Sequence, residues 1–176
     1  ENLLNINVKP EFPQKKKLSD QFKMVIELAE ESEKVFWIID FDSIKKETIE
    51  TKKGNRTPLQ QFKEQYPQAP KNAIIVINNP CLEFWFLLHY KKTSKYFTTY
   101  TKLEKELKKY LSDYHKTEKY FKNARQDIYQ RLKPLLQQAI KRAKAIGEFN
   151  FDNTQQGISE MFNIYDEFGI TEKDKK

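Results

Sequence analysis

The strongest constraint on the fold is an unbroken apolar run that ends in two closely spaced aspartates. Residues 35–39 read Val-Phe-Trp-Ile-Ile, and Asp40 and Asp42 follow them. A run of this length, rich in β-branched and aromatic residues, predicts a strand that is buried on both faces inside a parallel sheet. Ligands of open α/β sheets bind beyond the carboxyl ends of the strands. The two carboxylates are therefore expected at a ligand-binding edge.

The Asp-Phe-Asp sequence at residues 40–42 has two interpretations. Two carboxylates one residue apart can turn toward one Mg²⁺ ion, which takes oxygen ligands and few of them from protein. Alternatively, the strand ends and a helix is capped, because Asp and Ser are common N-cap residues. The polar, lysine-rich segment 43–58 that follows is expected to be a loop beside the carboxylates, and loops of this length are usually functional or mobile.

The first half of the chain alternates between strand and helix patterns. Residues 3–9 alternate apolar and polar side chains, and residues 73–77 form a second continuous apolar run. Helices are predicted from about Asp20 to Glu31 and from the Thr57-Pro58 pair, in which threonine caps and proline takes the first helical position. This β-α-β-α-β order predicts an α/β fold with a parallel sheet, with strand 35–40 in its interior.

The second half of the chain is predicted to be helical. Residues 81–89 are nearly all apolar, so that helix must be buried on most sides. Further helices are predicted at about 100–111, 117–122, 127–146 and 153–165, with a kink at Pro134 and an end at Gly147. We therefore divide the chain into an α/β core, residues 1–90, and a helical part, residues 91–176, packed on it.

Composition limits the classes of function. A formal net charge of +7 allows nucleic acid as a partner without requiring it. The single cysteine excludes an internal disulfide and a cysteine-based zinc cluster, which makes the cytoplasm the expected location. The four glycines form neither a G-x-x-x-x-G-K nor a G-x-G-x-x-G phosphate loop. The apolar runs are far shorter than the roughly 20 residues of a membrane span, so no membrane partner is expected.

Glu83 is the only acid in the apolar helix predicted at residues 81–89. A buried carboxylate costs several kcal/mol unless it is paired or bound to a metal. Because the helix follows strand 73–77, Glu83 is expected near Asp40 and Asp42 as a third carboxylate. The alternative is an ordinary acid at a helix start, which the helix dipole favours. Burial and like charges are both expected to raise its pKa, so Glu83→Gln should stabilise the metal-free protein.

Other polar residues allow structural as well as functional interpretations. Asn79 suits a helix cap or a polar neighbour of the site, and His89 suits a structural histidine rather than a partner of Glu83. The cations at positions 141, 142 and 144 suit phosphate contacts or the solvated face of their helix. They are Lys141, Arg142 and Lys144.

The segment Asn79–Tyr90 reads Asn-Pro-Cys-Leu-Glu-Phe-Trp-Phe-Leu-Leu-His-Tyr. Together with the strand that ends Ile-Asp-Phe-Asp, it resembles the RloB-like family, whose hallmark segment reads N-P-C-F-E-L-W-L-L-L-H-F. Tyr114-x-Lys116 and the Ala/Lys pattern of residues 139–145 also resemble that family, and the similarity covers roughly residues 3–168. RloB-like proteins are bacterial TOPRIM-fold proteins of restriction and phage-defence loci.

The resemblance implies a TOPRIM-type nuclease that depends on Mg²⁺ and acts on DNA or RNA, including tRNA, in anti-phage defence. Asp40 and Asp42 match the metal-binding D-x-D of that fold, Glu83 becomes a candidate catalytic residue, and Lys116 joins the candidate nucleic-acid contacts. The family's E-G-x-x-T-E glutamate has no match here, so either a preceding strand supplies it or the protein has lost the activity. The alternative is a non-catalytic module that docks on a partner ATPase and nucleic acid, and an oligomer fits either function.

Overall fold

In the part of the chain that the structure describes, the sheet that positions the site has three strands. The computed structural model describes residues 17–121 and 127–169. In it, β1 (Val35–Asp40) pairs in parallel with β2 (Ala73–Asn79), and β2 pairs antiparallel with the two-residue β3 (Ile158–Ser159). The predicted parallel pairing of the two apolar strands is confirmed. Residues 3–9 lie outside the described residues, so the interior position of β1 stays a prediction.

Helices flank this sheet, which gives a mixed α/β fold. Within residues 17–121 and 127–169, no helix combines the length and the apolar character needed to cross a membrane. The α-helices are α1 (Leu18–Glu31), α2 (Phe41–Glu50), α3 (Pro58–Gln65), α4 (Glu83–Tyr90), α5 (Tyr100–Leu107), α6 (Glu118–Phe121), α7 (Ile128–Leu132), α8 (Leu136–Ile146) and α9 (Phe162–Glu167). Short 3-10 turns follow α3 (Tyr66–Gln68) and α7 (Lys133–Leu135).

Several helix boundaries follow local sequence signals. The Thr57 hydroxyl accepts a hydrogen bond from the backbone N–H of Gln60, and the side-chain oxygen of Gln60 accepts one from the backbone N–H of Thr57. The predicted cap is therefore a full capping box. Pro134 lies in the 3-10 turn between α7 and α8, so the helix predicted at 127–146 with a kink is divided into two helices at this residue. Gly147 has φ 96°, a conformation that glycine adopts without strain, and it ends α8 as predicted.

The prediction that β1 is buried on both faces is wrong. Val35, Trp37 and Ile39 are buried against α1 and α3, but Ile38 on the opposite face is 48% exposed. In β2, by contrast, the residues from Ile75 to Asn79 are all buried. The apolar run therefore identified the strand correctly, although one of its apolar side chains, Ile38, is not buried by the described residues.

The prediction of a loop after Asp42 is also wrong, because α2 begins directly after β1. Its buried side chains, Phe41 and Ile44, are three residues apart and lie on one helical face, and they join the core of the sheet. Only the shorter segment 51–57 between α2 and α3 is free of regular structure. The two aspartates thus lie at a tight strand-to-helix junction.

The helix predicted to start at Asn153-Thr154 begins instead at Phe162, after β3. The side chain of Glu160 explains this arrangement. Its two carboxylate oxygens accept backbone N–H bonds from Ile77 at 2.9 Å and from Phe149 at 2.8 Å. Glu160 thereby extends the pairing with β2, which a helix at residues 153–160 would prevent.

We predict that Phe41→Ala destabilises the protein by about 3–5 kcal/mol, because the ring is fully buried at the start of α2. Ile49→Ala is the matched control on the same helix, since Ile49 is 84% exposed, and it should change stability by no more than about 0.5 kcal/mol. Urea unfolding of both variants measures this. Equal, small effects would mean that residues 41–50 are not packed as α2.

Candidate functional site

Two backbone hydrogen bonds join the β1–α2 junction to the turn between β2 and α4. The Leu82 N–H donates to Asp40 Oδ1 at 2.8 Å, and the Asp42 N–H donates to the carbonyl of Pro80 at 2.9 Å. Asp40 occupies the N-cap position of α2, yet its carboxylate holds the start of α4 instead of capping its own helix. These bonds bring the two aspartates and the first turn of α4 together at the carboxyl end of the parallel strands.

Glu83 lies at the start of α4 with its carboxylate fully engaged. The residue is 2% exposed. The Tyr114 hydroxyl donates to Glu83 Oε1 at 2.8 Å, and Lys116 Nζ lies 3.0 Å from the same oxygen and 3.3 Å from Oε2. Lys116 also lies 3.8 Å from Asp40 Oδ2 and 5.2 Å from the centre of the Tyr100 ring. One lysine therefore links the buried glutamate to the strand-end aspartate.

The expectation that Glu83 has a raised pKa is wrong. Burial does act to raise it, but hydrogen bonds from the Cys81 thiol and the Tyr114 hydroxyl, together with the charge of Lys116, hold the pKa below its ordinary value. The carboxylate is therefore ionised at neutral pH. Conversely, burial and the adjacent carboxylate raise the pKa of the Cys81 thiol, which remains protonated and unreactive.

The pKa values of the two aspartates are shifted in the opposite direction from that of Glu83. Burial raises the pKa of Asp40 to about 6, against the opposing effect of Lys116, and repulsion from Glu83 and Asp42 adds to the increase. Burial likewise raises the pKa of Asp42, again against Lys116, with a smaller contribution from Glu83. The aspartates are thus destabilised in their charged form, a condition that an added cation would relieve.

The donor chemistry of this edge fits a hard cation only in part. Asp40 and Asp42 offer carboxylate oxygens, the ligand type that Mg²⁺ prefers, and Mg²⁺ often uses just one or two protein carboxylates. Glu83 has both oxygens committed to Lys116 and Tyr114. In the parts of the chain that the structure describes, no three side chains of Asp, Glu, His or Cys are grouped to hold a metal ion. The two aspartates alone are therefore suited to contact Mg²⁺ directly.

Asn79 holds the segment before β3 by two hydrogen bonds. Its side-chain amide donates to the carbonyls of Thr154 at 3.0 Å and Gln156 at 2.8 Å. Lys45 on α2 donates to the same Thr154 carbonyl and, at 3.1 Å, to the Tyr96 hydroxyl. Asn79 is therefore a polar neighbour of the site with a structural role, rather than the side-chain cap of α4.

His89 is a structural histidine at the far end of α4. Its Nδ1 lies 2.9 Å from the carbonyl of Trp85, and the residue is 2% exposed. Burial lowers the pKa of His89 to about 4, and the hydrogen bond to Trp85 opposes this only in part. The imidazole is neutral at physiological pH and separate from Glu83, as predicted.

The cations predicted to contact nucleic acid do not form one cluster. Arg142 donates to the carbonyls of Leu88 at 2.9 Å and His89 at 2.8 Å, so it satisfies the end of α4 opposite Glu83. Lys144 pairs with Asp166 at 2.6 Å, whereas Lys141 is exposed. Lys116 alone lies in the aspartate site. The sequence could not indicate this division, because Lys116 reaches Glu83 across 33 residues.

Glu83→Gln should destabilise the metal-free protein by about 1–3 kcal/mol at neutral pH, the reverse of the sequence-based expectation, because Lys116 and Tyr114 lose a charged acceptor. Since the folded-state pKa is lowered, this contribution is present above the ordinary pKa of glutamate and is lost as pH falls through the folded value. Chemical denaturation at pH 7 and pH 3, with exposed Glu30→Gln as the control, tests it. A stabilised variant would refute the pairing.

The low pKa of His89 predicts acid destabilisation. Between about pH 6.5 and pH 4 the unfolded chain binds a proton that the folded chain excludes, so stability falls as pH falls through this window, by roughly 3 kcal/mol at most. His89→Gln should remove this part of the pH dependence, while His115→Gln, in an exposed loop, should leave it in place. Denaturation curves at pH 7, 5.5 and 4 measure both. An identical pH dependence in His89→Gln would contradict the assignment.

Comparison with known proteins agrees with the resemblance seen in residues 79–90. The family model described as RloB-like protein matches residues 2–167, which include every residue of the site. Neither the curated proteins nor the solved structures gave a match. Because the matched region covers well over half of the 176 residues, this chain belongs to the RloB-like family.

Proposed function

We propose that this protein is a Mg²⁺-dependent nuclease of TOPRIM type, which cleaves phosphodiester bonds in DNA or RNA, with tRNA among the candidate substrates, as part of cytoplasmic anti-phage defence. The observation that carries the proposal is the pair Asp40 and Asp42 at the carboxyl end of β1, with the half-exposed cation Lys116 beside them. Carboxylates that bind a metal, next to a cation that binds phosphate, are what phosphodiester chemistry requires.

Each side chain of the site has a role in this proposal. Asp40 and Asp42 would hold Mg²⁺, which when bound polarises the phosphate and stabilises the departing oxygen. Lys116 is 49% exposed and can meet a phosphate oxygen of the substrate from the side of Glu83. The Leu82 N–H fixes the Asp40 carboxylate by its bond to Oδ1.

Glu83 is better suited to positioning Lys116 than to binding the metal directly. Its two oxygens hold the ammonium group, and Tyr114 fixes the orientation of the carboxylate. A role as a third metal ligand or as a water-orienting base would require Lys116 to move away. The earlier prediction that Glu83 is catalytic therefore remains a hypothesis, which the pairing with Lys116 makes less favourable.

A second candidate function is a non-catalytic module that docks on a partner ATPase and nucleic acid, alone or as an oligomer. It is favoured by the ion pairs of Lys116 with Glu83 and Asp40, which neutralise part of the carboxylate charge without a metal. In this case Lys116 and other surface cations still bind nucleic acid, but Mg²⁺ binding at the aspartates is weak and no strand is cleaved.

Asp42→Asn tests the choice between the two functions. If the aspartates bind Mg²⁺, the variant should lose at least about 100-fold in Mg²⁺ affinity and in cleavage of a mixed DNA and RNA substrate set. Asp152→Asn, at an exposed turn, is the matched control and should behave like the wild type. Calorimetric Mg²⁺ titration and gel-based cleavage measure the two effects. A wild-type protein that neither binds Mg²⁺ nor cleaves any substrate would favour the docking module.

A further inference from the structure

Two contacting pairs of aromatic rings pack on α4; Tyr120 is buried and the other three rings are partly exposed. We define the aromatic strip by Tyr110, Tyr90, Tyr120 and Phe121. The Tyr90 and Tyr110 rings are stacked, with centroids 5.3 Å apart and an interplanar angle of 15°. Tyr120 and Phe121 meet edge to face at 5.6 Å. The guanidinium of Arg131 donates to the Tyr120 hydroxyl at 3.3 Å, and its charge also acts on Tyr90.

The two ends of the aromatic strip are open to solvent. Tyr110 and Phe121 are each 41% exposed. One face of the Tyr110 ring stacks on Tyr90, so its other face is suited to stack on a second planar group. Phe121 contacts Tyr114 at 6.3 Å and Phe86 at 6.5 Å between ring centroids, and both contacts come from the protein interior. Large rings that remain half exposed at both ends of a packed row are suited to stacking with a planar ligand.

The aromatic strip is linked to the candidate site through the buried side chain of Tyr114. Tyr114, which contacts the Phe121 ring, donates its hydroxyl to Glu83, and Glu83 holds Lys116. The opposite end has positive charge, because Lys91 and Lys109 share the single carboxylate of Glu106 next to Tyr110. Exposed rings and partly exposed cations therefore occur near both ends of the strip, a combination that suits a ligand with planar groups and negative charges.

We propose that the aromatic strip binds single-stranded nucleic acid, with bases stacked on Tyr110 and Phe121 and phosphates near Lys91, Lys109 and Lys116. This inference builds on the proposed nuclease function and specifies its substrate as an unpaired strand. Bases in a duplex are stacked on one another and cannot stack on these rings, whereas those of a single strand are free to do so. RNA and DNA share this chemistry.

Fluorescence anisotropy in the absence of Mg²⁺ separates binding from cleavage. The probes are a labelled strand of about 16 nucleotides as RNA and as DNA, the blunt duplex of the same sequence, and an abasic strand with the same phosphates. Wild-type protein should bind either single strand about tenfold more tightly than the duplex and the abasic strand. Equal affinity for the normal and the abasic strand would overturn the proposal, because charge alone would then explain binding. A preference for RNA or for DNA would identify the natural strand.

Substitutions locate the binding to the strip. Phe121→Ala and Tyr110→Ala should each weaken single-strand binding about tenfold and leave abasic-strand binding unchanged. Tyr129→Ala is the matched control: Tyr129 is 53% exposed and lies on α7 about 200° around the helix from Arg131, the residue of α7 that contacts the strip. Phe121→Trp should retain binding and show quenched indole fluorescence in the complex. Variants that alter the oligomeric state in sedimentation, without altering strand binding, would make the strip a self-association surface and reject the inference.

The outcomes remain distinguishable from those of the nuclease test. Single-strand binding that depends on Phe121, in a protein that cleaves nothing with Mg²⁺, would support the strip and refute the nuclease. Cleavage that depends on Asp42, in a protein whose strip variants bind strands normally, would support the nuclease and refute the strip.

Discussion

The arrangement of the site depends on the neutralisation of one buried carboxylate. Glu83 is placed in the interior by the apolar residues on both sides of it, and a charge there is tolerated only with close partners. Tyr114 and Lys116 are those partners, and both come from the segment between α5 and α6. The need to satisfy Glu83 therefore fixes this segment against α4, and it also fixes the distance between Lys116 and Asp40.

The two ends of α4 are stabilised by different means. At its start, Asp40 accepts the Leu82 N–H, and the acidic side chain of Glu83 lies in the first turn, where the helix dipole favours negative charge. At its end, Arg142 donates to two terminal carbonyls that have no partner within the helix. The helix thus connects the sheet edge to the helical half of the molecule, and the larger of the two apolar cores is built on it.

The sequence predicted those parts of the fold whose cause is local. The runs at 35–39 and 73–77 predicted two strands, and Thr57-Pro58 predicted a helix start, because each depends on neighbouring residues only. The parallel pairing followed from the alternation of strands and helices along the chain. The helix α2 was missed because just Phe41 and Ile44 of its ten residues are buried, among lysines and glutamates that resemble a loop. The strand β3 was missed because two residues carry no periodicity.

In the candidate site, too, the sequence predicted only the features that have a local cause. Asp40, Asp42 and Glu83 were recognisable because each interrupts or ends an apolar run, which is a local signal. Apart from the Cys81 thiol, the partners of Glu83 lie 31 and 33 residues further along the chain, in a polar segment with no pattern that points back to α4. The pKa of Glu83 was therefore predicted in the wrong direction: the cost of burial can be estimated from neighbours in sequence, but the compensation by Tyr114 and Lys116 cannot.

The bond between Leu82 and Asp40 has a consequence for coordination number. Since Oδ1 is engaged by a backbone N–H at 2.8 Å, Asp40 is better suited to a monodentate than to a bidentate contact with a cation. A monodentate aspartate occupies one vertex of an octahedron where a chelating one occupies two. If Mg²⁺ binds as proposed, the bond that anchors α4 would leave more coordination positions for water and phosphate oxygens.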